Sequence, residues 1–238
     1  MSVLQVQNVV KSFGDLRAVD DVSICLDQGD NLAIVGESGC GKTTLAKMMV
    51  GLITADKGVI KAQANSLQMV FQDPNQSLDP LWNVREILKE ALWCQPSLSS
   101  QQVQEKLEQM LGAVGLSVPV LQRFPHEFSG GERQRIAIAR ALLANPRVLV
   151  LDEAVSALDT LVQKQIIDLL KKLKQDFNLT YIFISHNLRL VRNFSDKIVV
   201  MYQGKIVEQG MVQTVLQSPS HPYTQQLLQA AFYTNLII

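Results

Sequence analysis

The sequence predicts an α/β fold, a parallel β-sheet flanked by helices and interrupted by an all-helical block. Three observations carry this reading. Strand and helix patterns alternate at both ends of the chain, the patterns in the middle are helical, and a Gly-rich loop separates one apolar strand from the helix that follows it.

The elements follow in order. Residues 4–9 and 19–26 alternate apolar and polar side chains between Gly14, Asp15, Gly29 and Asp30, and read as strands. Residues 31–35 form a short apolar strand leading into the Gly-rich loop; a helix is expected from Lys42 to about Val50, with Gly51 as its stop. Residues 73–80, DPNQSLDP, are turn chemistry throughout. Val84, Ile87, Leu88, Ala91 and Leu92 then share one helical face, and a break is expected over residues 96–100. A second helix carries Val103, Leu107, Met110, Leu111 and Val114, with Ser99 and Gln102 as its capping box. A third, over residues 132–143, opens directly after Ser129-Gly130-Gly131. Strands are expected at 147–151 and 180–185 around an apolar-faced helix at 161–173, followed by a hairpin of 197–202 with 205–208 around Gln203-Gly204.

Composition limits the function. The chain has 238 residues, with Lys plus Arg at 22 balanced by Asp plus Glu at 22. Zero net charge, with a pI near 6.8, argues against a dedicated nucleic-acid binder, whose footprint is a basic excess. Hydrophobic residues at 47% and charged residues at 18% exclude a disordered chain. The mean hydropathy, +0.11, is high for a neutral soluble chain and suggests docking surfaces. The first residues alternate like a strand and lack the n- and h-regions of a signal peptide. No apolar run approaches the ~18 residues of a membrane span. Cys25, Cys40 and Cys94 have no C-x-x-C spacing, so neither a disulfide framework nor a zinc site is expected. The expected location is cytosolic, with any membrane work done from its surface.

Residues 36–43, GESGCGKT, match G-x-x-x-x-G-K-[ST] at every fixed position, between a predicted strand and a predicted helix. A polyphosphate needs many donors at close range. Gly36, Gly39 and Gly41 let backbone N–H groups turn inward around it, and the helix end beyond adds positive partial charge. Lys42 supplies a point charge for the β- and γ-phosphates, and the Thr43 hydroxyl can ligate Mg²⁺. Cys40 lies inside this loop and has two readings. A helix N-terminus can lower a thiol pKa and make a redox sensor; the preferred reading is that a small side chain simply fits.

Residues 148–153, VLVLDE, are a buried-type strand ending in two carboxylates. Asp152 fits a Walker B aspartate holding Mg²⁺. Glu153 would point elsewhere, toward a water attacking the γ-phosphate, where a general base contributes about 10²–10⁴-fold.

Residues 128–159, FSGGERQRIAIARALLANPRVLVLDEAVSALD, resemble the signature, Walker B and D-loop block of ABC transporter ATPase subunits, and the likeness runs from about Val3 to Tyr223. It implies a P-loop NTPase core of residues 1–71 and 146–238, with an N-terminal antiparallel β subdomain, and an inserted helical signature subdomain over 72–145. It assigns Phe13 to stacking on adenine. The loop residues Gly36, Glu37, Ser38, Gly39, Cys40, Gly41, Lys42, Thr43 and Thr44 fall to the phosphates. Gln72 is placed at Mg²⁺ and the attacking water. Ser129, Gly130, Gly131 and Glu132 are assigned to the ATP of the opposite subunit, His186 to the γ-phosphate, and Asp159 to the dimer interface. Lys42, Gln72, Glu153 and His186 are the catalytic set implied, with Thr43, Gln72 and Asp152 at the metal.

Three departures stand out. Glu132 replaces the commoner glutamine, so a neutral donor becomes a charge. Ala154 stands where proline is usual and is expected to loosen that turn. The segment from Gly58 to Gln72 is short, lacking much of the usual β-excursion.

FQDPNQSLDP and HPYTQQLL are similar to the peptide and nickel importer subfamily, although His221-Pro222 also suits a plain helix start with Pro at its first position. The resemblance implies an ATP-hydrolysing importer motor with ATP and Mg²⁺. Its partners would be a second ATPase in a heterodimer, two transmembrane permease subunits and, indirectly, a substrate-binding protein, with no nucleic acid. It would work at the cytoplasmic face of the inner membrane. No iron–sulfur cluster is expected, because the sequence ends soon after Tyr223 without the cysteines of longer relatives. A non-transport ABC ATPase acting on nucleic acid or ribosomes is the alternative, disfavoured by neutral charge and the lack of coiled-coil insertions; a regulator without turnover is disfavoured by Glu153 and His186.

Overall fold

The computed structural model describes residues 2–63, 66–93, 95 and 98–233; Cys94 and, within the break expected over 96–100, Pro96 and Ser97 lie outside the described residues. The chain runs β1 (Ser2–Phe13), β2 (Leu16–Asp27), β3 (Asn31–Val35), α1 (Lys42–Met49), β4 (Lys57–Ala62), β5 (Leu67–Val70), α2 (Pro74–Ser77), α3 (Val84–Glu90), α4 (Ser100–Ala113) and α5 (Gly130–Leu143). It continues through β6 (Val148–Asp152), α6 (Thr160–Phe177), β7 (Thr180–Ile184), α7 (Leu188–Phe194), β8 (Lys197–Tyr202), β9 (Lys205–Met211), α8 (Val212–Gln217) and α9 (Pro222–Tyr233).

The strands form two sheets, an antiparallel one ordered β2-β1-β4 and a six-stranded one ordered β5-β6-β7-β3-β8-β9. In the larger sheet β5, β6, β7, β3 and β8 pair in parallel and β9 closes the edge antiparallel to β8. Every residue of β3, β6 and β7 is buried, as central strands covered on both faces must be. Alternate residues serve two cores. Val35, Leu149, Leu151, Tyr181 and Phe183 face the helices from α2 onward. Ile34, Val148, Val150, Ile182 and Ile184 face α1 and the antiparallel sheet. The predicted α/β class therefore holds, including the small antiparallel sheet.

Local signals explain most element ends. Gly51 takes φ 79° after α1, and the N–H groups of Gly51 and Leu52 bond back to Met48 and Lys47, the crossed pair of a Schellman stop. The Ser99–Gln102 capping box forms at α4 as expected. Gln203 and Gly204 both take positive φ, 46° and 80°, the requirement of a tight hairpin turn matching strand twist.

Two expectations need correction. The stretch 73–80 is not turn throughout, because Pro74–Ser77 makes one helical turn; Pro is preorganised for a first helical position as much as for a turn. The third helix begins at Gly130, two residues before the expected start, because Ser129 is its N-cap. Pro222 does open a helix, α9. From the short segment before Gln72, β4 pairs with β1 as the third strand of the antiparallel sheet.

Candidate nucleotide site

Adjacent strands β6, β7 and β3 point their carboxyl ends to one edge of the sheet, which is where open α/β sheets bind ligands. The loop after β3 is shaped by close backbone approaches. A Cβ on Gly36 would lie 2.2 Å from the Met201 carbonyl oxygen, and one on Gly41 would lie 2.0 Å from that of Ala18. Gly36, Gly39 and Gly41 take φ of 149°, 83° and 106°, so glycine is required by conformation at all three and by space as well at Gly36 and Gly41. The Gly204 N–H donates to the Cys40 carbonyl at 3.1 Å, tying the loop to the β8–β9 turn.

Lys42 is buried, with 5% of its surface exposed. Its ammonium donates to the Gly36 and Glu37 carbonyls at 2.8 and 2.7 Å. Gly41 stands at the N-cap of α1 and makes no side-chain cap there. The leading N–H groups of a helix have no intrahelical acceptor. An uncapped helix end, an adjacent ammonium and inward glycines together form a polyphosphate cradle. Cys40 is buried, and burial pushes its thiol above the ordinary value. That is opposite to what a redox sensor at a helix end requires and favours the small-side-chain reading.

The acidic groups lie at the same edge. Thr43 donates through its hydroxyl to Asp152 Oδ1 at 3.2 Å. Burial, with the neighbouring Glu153 charge, holds the Asp152 carboxyl above its ordinary value despite Thr43 and Lys42. A buried carboxylate with a raised pKa beside a hydroxyl fits a divalent cation, whose charge would favour the ionised form. Among the described residues no group of three His, Cys, Asp or Glu could hold a metal. Mg²⁺ does not need one, since it keeps waters and takes phosphate oxygens.

Glu153 takes φ 47°, and its N–H donates to the Ile184 carbonyl at 3.0 Å. Its Oε2 lies 3.4 Å from Nδ1 of His186, whose side chain is 61% exposed at the end of β7. The turn that follows, at Ala154, is closed by hydrogen bonds. Ala154 is buried, and the Ser156 N–H and hydroxyl donate to the Glu153 carbonyl at 3.0 and 2.9 Å. Gln72 is exposed two residues beyond Val70, which pairs with Leu151, so it lies beside the end of β6.

The other expected residues belong to β1, α5 and the start of α6. Phe13 ends β1 with its ring half exposed, 5.6 Å under the Lys11 ammonium. Ser129 caps α5: its hydroxyl and its N–H donate to Glu132 Oε2 at 2.7 and 2.9 Å. Those bonds hold the Glu132 carboxyl below its ordinary value. Cβ atoms on Gly130 and Gly131 would meet Leu158 at 3.3 Å and Val162 at 2.6 Å, so the signature packs on the start of α6. There Asp159 accepts from the N–H groups of Leu161 and Val162.

Sequence reasoning missed Tyr223 as a site residue. Its hydroxyl accepts the Glu37 N–H at 2.9 Å across 186 residues of chain. The HPY triplet marked its neighbourhood, but no local pattern points it at the loop.

Residues 19–156 match the ABC transporter family. The chain is 43% identical over 261 aligned residues to the oligopeptide transport ATP-binding protein AppF of Bacillus subtilis, covering 98% of this chain and 79% of that one. It is 46% identical to the probable D,D-dipeptide transport ATP-binding protein DdpF of Escherichia coli, covering 92% and 71%. Among solved structures, a nucleotide-free ATP-binding cassette from an ABC transporter superposes with TM-score 0.79 at 27% identity, covering 95% of this chain and 98% of that one.

Proposed function

The chain belongs to the ABC transporter family, and from that membership we propose that it is the ATP-hydrolysing motor subunit of a peptide importer. The observation that carries the reading is the convergence of Lys42, Thr43, Asp152, Glu153 and His186 at one sheet edge. The peptide cargo is supported by the oligopeptide and dipeptide transport names of its relatives.

The polyphosphate lies across the N-terminus of α1, and Lys42 transfers its ammonium from the loop carbonyls to phosphate oxygens. Thr43 and Asp152, bonded to each other here, would hold Mg²⁺, with Gln72 placed to reach the same metal and water; when bound, the ion would neutralise charge on the phosphates. Glu153 accepts a proton from the attacking water, and His186, in reach of its carboxylate, orients toward the γ-phosphate. Phe13 offers a ring to the adenine. Ser129, Gly130 and Gly131 face the nucleotide of a second ATPase subunit, in a heterodimer whose interface includes Asp159. Two ATP molecules between the subunits close that dimer, and hydrolysis reopens it. The helices within residues 72–145 pass the movement to transmembrane permease subunits at the cytoplasmic membrane face. No helix among the described residues is long and apolar enough to cross a membrane.

Glu153→Gln tests the chemistry. It should keep ATP binding and lower hydrolysis at least about a hundredfold, as loss of a general base implies. Near-normal turnover in a phosphate-release assay would refute the assigned role.

A further inference from the structure

We propose that Tyr223 is a positioning residue of the nucleotide site: its hydroxyl fixes the Gly36–Glu37 peptide, so that the segment after β9 tunes the affinity for polyphosphate. The inference rests on the nucleotide-site reading and deepens it.

One peptide unit is held at both of its polar ends. Its N–H, that of Glu37, donates to the Tyr223 hydroxyl at 2.9 Å, and its carbonyl, that of Gly36, accepts from the Lys42 ammonium at 2.8 Å. Hydrogen bonds in such a chain polarise one another, so the phenol and the ammonium reinforce a single orientation of the peptide. The Met201 carbonyl closes on Gly36 from β8. Tyr202, the next residue in that strand, packs its ring 4.2 Å from the Tyr223 ring.

Tyr223 is itself held in place. It is buried, with 6% exposed. The carboxylate of Glu208 on β9 accepts from the Ser220 N–H at 2.8 Å, the Ser220 hydroxyl at 2.9 Å and the His221 N–H at 3.1 Å. His221 in turn accepts the Tyr223 N–H on its Nδ1 at 3.1 Å, fixing the first turn of α9. Burial raises the Tyr223 phenol above its ordinary value, so it remains neutral at neutral pH.

The consequence is preorganisation. A loop already held in its binding shape orders less when polyphosphate arrives, and removing the hydroxyl shifts that cost onto the binding step. Tyr223→Phe removes the one oxygen and keeps the ring on Tyr202. The full chain should be titrated with magnesium ATP by calorimetry and its thermal unfolding followed without nucleotide. Tyr223→Phe should raise the Kd about two- to tenfold, the worth of one neutral hydrogen bond. Leu228→Val, in the buried face of α9, is the control; it loosens the same helix and leaves the hydroxyl, and should lower the unfolding temperature without moving the Kd. An unchanged Kd in Tyr223→Phe overturns the proposal, as does an equal rise in Leu228→Val. Wild-type protein that binds no ATP would overturn the nucleotide-site reading and this inference with it.

Discussion

The N-termini of α1 and α5 are built from similar residues, Gly41-Lys42-Thr43 and Ser129-Gly130-Gly131, yet they are finished in opposite ways. The end of α1 has no side-chain cap, and its loop is closed in by Ala18, Met201, Gly204 and Tyr223. The end of α5 carries its own cap, with Ser129 and Glu132 satisfying each other at the surface. Both ends offer positive partial charge to an anion. The first is shaped by the rest of its own chain into a phosphate cradle. The second carries its own cap, rests on the start of α6 and leaves Ser129 and Gly130 exposed, which suits a surface that completes a site on another molecule.

The largest effect expected from breaking this contrast is at Lys42. Lys42→Ala removes the ammonium and leaves the Gly36 and Glu37 carbonyls without their donor. ATP affinity should fall at least about a hundredfold, since charge-assisted bonds to phosphate are among the strong ones. Calorimetric titration giving wild-type affinity would sink the cradle argument.

Alanine scanning of the two glycine sets sharpens the contrast at a smaller scale. Gly41→Ala places a Cβ 2.0 Å from the Ala18 carbonyl at φ 106°, so the chain must move. It should cost about 3 kcal/mol or more in urea unfolding and take ATP affinity with it. Gly130→Ala meets only the flexible end of Leu158 at 3.3 Å in a helical conformation. Its stability should stay within about 1 kcal/mol of wild type, with helix propensity favouring the alanine. Equal losses at the two positions would mean that the ends are not finished differently after all.

The same contrast shows what was legible in the sequence. Lys42, Thr43, Asp152 and Glu153 could be picked out because each stands in a local pattern at a helix start or strand end, and His186 because the family resemblance assigns it. β4 could not, since most of its residues are exposed and it has no alternating face to reveal it. Asp73-Pro74 reads equally as a turn and as a helix start, and only the packing of the following turn decides. The closure of Ala18 on Gly41 and the reach of Tyr223 to Glu37 come from chain folded back from afar. No window of sequence contains both partners.

The smallest effect tests why α5 carries a charge at its cap. The Ser129 hydroxyl, and then its N–H, hold the Glu132 carboxyl below its ordinary value. A carboxyl lowered in the folded state adds stability that is present above its unfolded pKa, about 4.3, and lost as pH falls through the lower folded value. Glu132→Gln keeps the shape and removes the titration. At neutral pH it should be less stable by under about 1 kcal/mol, because the group is largely exposed and screened. The gap should close as the pH is lowered below 4.3. Urea unfolding across that range reads the difference directly. A gap that stays constant with pH would mean that the ionised carboxylate is not what holds Ser129. In that case the cap of α5 would rest on shape alone, with the charge at Glu132 adding nothing to its stability.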